Sequence, residues 1–205
     1  MKKSVLCILL VLAMIAGFAF AETPVKSVTV TDIVSPSGVT FAENFTVYLP
    51  PIEPETVEAV VFEEIAAVVE AAEVPVVEYF PAETVAAIVE KLPENVVAED
   101  LQLDEFFPLK EMGYEEHYGA VEVEFEFATQ YKDDDVVIAL VGILGGELNL
   151  ENEESFRDER GIVWTPMDTA INQGKVRVTF TEEVLKGVQQ GTAMMALLRN
   201  GKIVE

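Results

Sequence analysis

Val136 to Leu144 runs nine residues without a charged or polar side chain. An alternating strand can leave one face to water, but a strand with no alternation has to be covered on both faces. Thr192 to Leu198 is likewise apolar after its opening threonine. Together they rule out a single open sheet and demand a further layer over the one that carries them. That layer is either another part of the chain or a second copy of it.

The rest of residues 96–205 has the grammar of antiparallel β structure. Leu101-Gln102-Leu103 to Phe107 is a candidate strand. Val121, Val123, Phe125 and Phe127 alternate with Glu122, Glu124 and Glu126, which sets one buried face against one wet face. Val163-Trp164-Thr165 starts another strand. Asn172-Gln173-Gly174 is a turn before Val176, Val178 and Phe180, which alternate with Lys175, Arg177 and Thr179. Thr181 caps a short helix, Glu182 to Gln189, with Gly191 after its end. About six strands in roughly 100 residues predict a mainly β fold, an antiparallel β-sandwich.

Residues 52–95 are made largely of Ala, Val, Glu and Pro. Val57, Val61, Ile65, Val68 and Ala72 follow Pro54 at helical spacing, and Val85, Ile88, Val89 and Leu92 do so between Pro81 and Pro93. Val76 to Phe80 between them reads as a strand. Ile65-Ala66-Ala67-Val68-Val69-Glu70 echoes Val85-Ala86-Ala87-Ile88-Val89-Glu90, two similar helices rather than a repeat array. These helices are the natural cover for the fully apolar strands, which makes the whole α+β; a dimer interface is the alternative. Residues 22–51 form a smaller β and turn segment, with strand-like Val28 to Thr31 and Thr46 to Leu49.

The N-terminus places the protein. Lys2 and Lys3 precede a nearly continuous apolar run from Ser4 to Phe20, and Ala19-Phe20-Ala21 offers small residues for signal peptidase. This is a secretory signal peptide, residues 1–21, cleaved after Ala21. The protein is therefore expected to be exported, either periplasmic or extracellular and at the cell surface. An uncleaved anchor competes with this reading, because about 17 apolar residues can just span a bilayer. Cys7 opens the apolar core and so stands too early to be lipidated.

Removing Lys2 and Lys3 with the leader leaves 11 basic residues against all 37 acids, a net charge of −26. The remaining chain has no cysteine, so it folds without disulfides and has no thiol chemistry. Ser27 to Glu90 contains 12 acids and no Lys or Arg. Phosphate backbones and anionic lipids repel such a surface, so nucleic acid and anionic membrane are not expected partners. A cationic partner or divalent cations fit the charge.

Residues that could carry chemistry are few. His117 is the only histidine and has no nucleophile motif beside it; a zinc site would need more donors. Asp133, Asp134 and Asp135 are a candidate Ca²⁺ site, though the Asp-x-Asp-x-Asp-Gly spacing is absent. Glu151, Asn152, Glu153, Arg157 and Arg160 lie in a polar connection between strands, where binding surfaces usually sit. Glu122, Glu124 and Glu126 have the spacing of paired catalytic carboxylates, but a wet sheet face raises no pKa. They are expected to pair with Lys175 or Arg177 on a neighbouring strand. Trp164, the only tryptophan, is expected in the core.

Val163-Trp164-Thr165, the Gly174-Lys175 turn and Val176-Arg177-Val178-Thr179-Phe180-Thr181 resemble the C-terminal half of immunoglobulin-like β-sandwich modules in surface proteins of anaerobic bacteria. The resemblance covers Ile162 to Asn200. It implies the architecture and a non-enzymatic surface role, and it gives no ligand. The expected function is binding, adhesion or assembly at the envelope, recognising a protein or glycan through loops and without a cofactor. Self-association remains open. An acidic Ca²⁺-binding accessory protein is the alternative, and an unrecognised hydrolase the third reading.

Overall fold

The computed structural model describes residues 25–33, 46–70, 74–112, 119–127, 131–146 and 153–200. Residues 1–21, expected to be a signal segment, and His117, Glu151 and Asn152 lie outside them. The fold is mainly β. Among the described residues, nine strands form two antiparallel sheets: β1 (Val25–Ile33), β2 (Thr46–Tyr48), β3 (Leu101–Met112), β4 (Val121–Phe127), β5 (Val136–Leu144), β6 (Ile162–Pro166), β7 (Asp168–Asn172), β8 (Lys175–Phe180) and β9 (Thr192–Asn200). One sheet has the order β1-β4-β8-β7, the other β2-β3-β9-β5-β6. Among the described residues, three α-helices accompany them: α1 (Val57–Glu70), α2 (Ala82–Lys91) and α3 (Glu182–Gln190).

Alternation puts the first core between the sheets. The inward residues of β4 meet those of β8 in register: Val121 opposite Phe180, Val123 opposite Val178, Phe125 opposite Val176. Phe107, Leu109, Val137, Ala139, Val141, Met195 and Leu197 of the second sheet close the same cluster. Phe107 stacks on Phe127 with ring centroids 5.5 Å apart.

The second core lies on the opposite face of the five-stranded sheet. Ile138 and Leu140 of β5, Ile162 and Trp164 of β6, and Met194, Ala196 and Leu198 of β9 meet Val61 and Ile65 of α1, Phe80, and Ile88 of α2. The fully apolar strands therefore receive the cover that their sequence demands, and they receive it from the Ala/Val/Glu segment of the same chain. Trp164 is fully buried, with Phe80 edge-on at 5.1 Å. Gly142 of β5 pairs with Trp164, and a Cβ there would lie 2.6 Å from the indole ring.

Several local expectations change. Val76–Tyr79 is a short 3-10 turn rather than a strand. Its β-prone composition is overridden by Pro75 and by the need to turn between two helices. Val89 of α2 is 53% exposed, and Thr84 is buried in its place, its hydroxyl donating to Trp164 O at 3.0 Å. β7 is an added strand. It joins β8 through a two-residue turn whose residues, Gln173 and Gly174, both have positive φ (53° and 81°), as tight hairpins require. The chain crosses between sheets at Pro166-Met167, where Met167 N–H donates to Ala139 O at 2.8 Å and Ala139 N–H to Thr169 Oγ1 at 3.1 Å. Thr181 caps α3 as expected, accepting from Val184 N–H. Gly191 is not a left-handed cap, since its φ is −115°. A side chain there would strike Leu144 O and Gly145 O, both at 2.8 Å.

Candidate functional site

The polar connection between β5 and β6 is pinned at its C-terminal half. Asp158 is the hub. Its Oδ1 accepts from the backbone N–H groups of Arg160 and Ile162, both at 2.9 Å, and its Oδ2 accepts from Trp164 Nε1 at 2.8 Å. The indole thus buries its ring and still satisfies its one donor. Gly161, at φ +87°, closes the turn with its N–H on Asp158 O. Arg157 pairs with Glu153 and donates to Gly161 O at 2.8 Å.

From this turn Arg160 reaches to α1. Its guanidinium takes both oxygens of Glu64, with Nε to Oε2 at 2.6 Å. The Tyr79 hydroxyl donates weakly to the same carboxylate at 3.4 Å. Arg160 holds Glu64 below the usual carboxylate range. Burial, with Glu64 and Asp158 nearby, pushes the Tyr79 phenol well above its ordinary value. The result is one face joined from the 153–161 turn, α1 and the Val76–Tyr79 turn. Glu153, Arg157 and Arg160 hold this face together; Glu154 lies 3.6 Å from Arg157 Nε but is, like Ser155 and Glu159, largely exposed.

The Glu122/Glu124/Glu126 face is a charge network. Lys175 Nζ lies 2.9 Å from Glu124, Arg177 Nη2 3.4 Å from Glu124, and Arg177 Nε 3.3 Å from Glu122. Asn172 Nδ2 donates to Glu124 at 3.3 Å. Lys175, then Arg177 and Asn172, hold Glu124 below the usual carboxylate range. That is the reverse of what a general acid needs.

The acidic turn before β5 is divided. Asp135 accepts from Lys132 N–H at 2.7 Å and from Arg199 at 2.5 Å. Asp133 and Asp134 are exposed. Among the described residues no three His, Cys, Asp or Glu side chains group as metal ligands. Arg199 also lies over the Tyr131 ring, 5.1 Å from its centroid. Tyr131 OH donates to Asp104 at 2.5 Å. Asp104 is the extra residue of a β-bulge in β3, and the bulge re-aims its carboxylate. Burial and Asp104 push the Tyr131 phenol far above its ordinary value.

A groove of about 540 Å³ opens between α1, the end of β3 and the junction of α3 with β9. Leu109, Val188 and Ala193 line it with Glu58, Lys110, Glu111, Gln189 and Thr192. No sequence signal marked it, because its parts come from four elements. Among the described residues no helix is long and apolar enough to cross a membrane. Compared with protein-family models, curated proteins and solved structures, the chain matched none.

Proposed function

We propose that this chain is an exported, non-enzymatic module of the bacterial envelope or exterior, built on an immunoglobulin-like β-sandwich, that recognises a protein or glycan partner through its 151–161 loop. The strand order supports the architecture. Immunoglobulin-like domains place strands A-B-E-D in one sheet and C-F-G in the other, with C′ added beside C in some. Here β1-β4-β8-β7 follows A-B-E-D, including the D–E hairpin, and β6-β5-β9 follows C′-C-F. The departures are specific. β3, from earlier in the chain, takes the place beside β9 where strand G would lie. Trp164 sits on the C′-like strand and packs under the helices, not between the sheets.

The observation that carries the functional reading is the latch of Arg160 onto Glu64. A loop held by a bidentate ion pair on one side and by Asp158 on the other presents Glu154, Ser155 and Glu159 in fixed positions. Pre-organisation of that kind lowers the ordering cost of binding. The test is capture of envelope components on the purified protein by cross-linking. One enriched protein or glycan is expected, lost when Glu154, Ser155 and Glu159 are all changed to Ala. Equal capture by that variant would refute the loop as the recognition surface.

A further inference from the structure

We propose that the groove between α1, β3 and α3 binds a small zwitterion with an apolar body, of the class of a branched amino acid or a dipeptide. In a chain this acidic, nearly every cation with described surroundings is taken by a carboxylate: Lys91, Arg157, Arg160, Lys175, Arg177, Lys186 and Arg199 all lie in ion pairs. Lys110 is exposed on the groove wall and has no such partner among the described residues. Glu58 lines the same groove and is likewise without a cation there.

Lys110 and Glu58 line the groove without an ion pair between them, and Glu111 beside Lys110 adds a second carboxylate, so the groove offers a ligand charges of both signs. A ligand carrying a carboxylate and an ammonium fills it with the signs reversed and gains an ion pair at each end. α3 ends in this groove at Gln189 to Gly191, and the last carbonyls of a helix favour an ammonium group. Thr192 adds a hydroxyl that can donate or accept. Leu109, Val188 and Ala193 supply an apolar floor for the side chain. The volume lies in the range of small-ligand sites.

The geometry is also built to last. Thr56 caps α1, its hydroxyl accepting from Ala59 N–H at 3.2 Å, and this fixes the turn that carries Glu58. Gly191 packs its backbone against Leu144 O and Gly145 O, where no side chain fits. The groove wall at the start of β9 is thereby held against the end of β5.

The test is titration calorimetry of the purified protein with L-leucine, L-leucinamide, 4-methylpentanoate and L-leucyl-L-leucine. Saturable binding of leucine or the dipeptide is expected, with each single-charge analogue weaker by about tenfold, the loss of one ion pair worth about 1.4 kcal/mol. Lys110→Met should weaken leucine about tenfold and no longer distinguish leucine from leucinamide, and Glu58→Gln should no longer distinguish leucine from 4-methylpentanoate. Both side chains are at least partly exposed, so circular dichroism should show both variants folded. No saturable binding by any of the four, or binding that both variants leave unchanged, would overturn the proposal.

Discussion

The two sheets have outer faces of opposite kinds. The outer face of β4 and β8 is left to water, and its Glu and Lys/Arg side chains neutralise one another across the strands. The outer face of β5 and β9 carries Ile138, Leu140, Met194, Ala196 and Leu198 and is dry, because α1 and α2 lie on it. Both outcomes follow from period. Val121–Phe127 alternates, so one sheet layer is enough for it. Val136–Leu144 does not, so the chain supplies a third layer. The comparison teaches that the helical segment is a structural necessity of the sheet beneath it, and that its attachment also builds the loop face.

The sharpest way to break that contrast is to empty the dry interface. Trp164→Ala should cost about 3–5 kcal/mol in chemical denaturation, while Glu126→Gln on the wet face should stay within about 0.5 kcal/mol. Overfilling the same interface comes next. Gly142→Ala would drive a methyl group into the indole and should cost about 3 kcal/mol, the upper end for overpacking. A smaller wild-type-like loss would mean the ring has room to shift.

Asp158→Ala should cost about 2 kcal/mol by orphaning the Trp164 Nε1 donor and two backbone N–H groups, and should raise loop hydrogen exchange at Arg160 and Ile162. On the wet face, Glu124→Gln should cost about 1 kcal/mol and be sensitive to salt. Its pH dependence has a definite sign. Glu124 and Glu64 titrate below their ordinary value of 4.5 in the folded state, so the unfolded chain binds more protons as pH falls through that value. Stability from both is present above about pH 4.5 and is lost progressively below it. Urea midpoints from pH 7 to pH 3 should fall less steeply in Glu124→Gln and Glu64→Gln than in the parent protein.

Much of this architecture can be read from residue order. Alternation located β4 and β8, unbroken apolar runs located β5 and β9, and Pro-bounded stripes located α1 and α2. The pairing of the carboxylate ladder with Lys175 and Arg177 followed from adjacent alternating strands. What stayed hidden depends on distant contacts. Asp168–Asn172 has no apolar alternation, and it becomes a strand only through its hairpin with β8. Thr84 is buried because its hydroxyl finds Trp164 O, 80 residues away. Arg160 and Glu64 stand 96 residues apart, so composition placed one in a polar loop and the other in the Ala/Val/Glu helical segment without joining them. Within the 153–161 turn, Glu153, Arg157 and Arg160 are tied to other groups while Ser155 and Glu159 face water, a division that charge alone does not show.

The chain's only tryptophan lies at the junction of sheet and helical layer, which makes it a direct reporter of whether that layer stays on the sheet. The decisive measurement is equilibrium unfolding followed in parallel by Trp164 emission and by far-ultraviolet circular dichroism. If the helical layer is an obligate cover, the two probes share one midpoint and one slope. If Trp164 becomes solvated at a lower denaturant concentration than the sheet signal is lost, the layer detaches on its own, and the claim that the dry sheet face requires it is wrong.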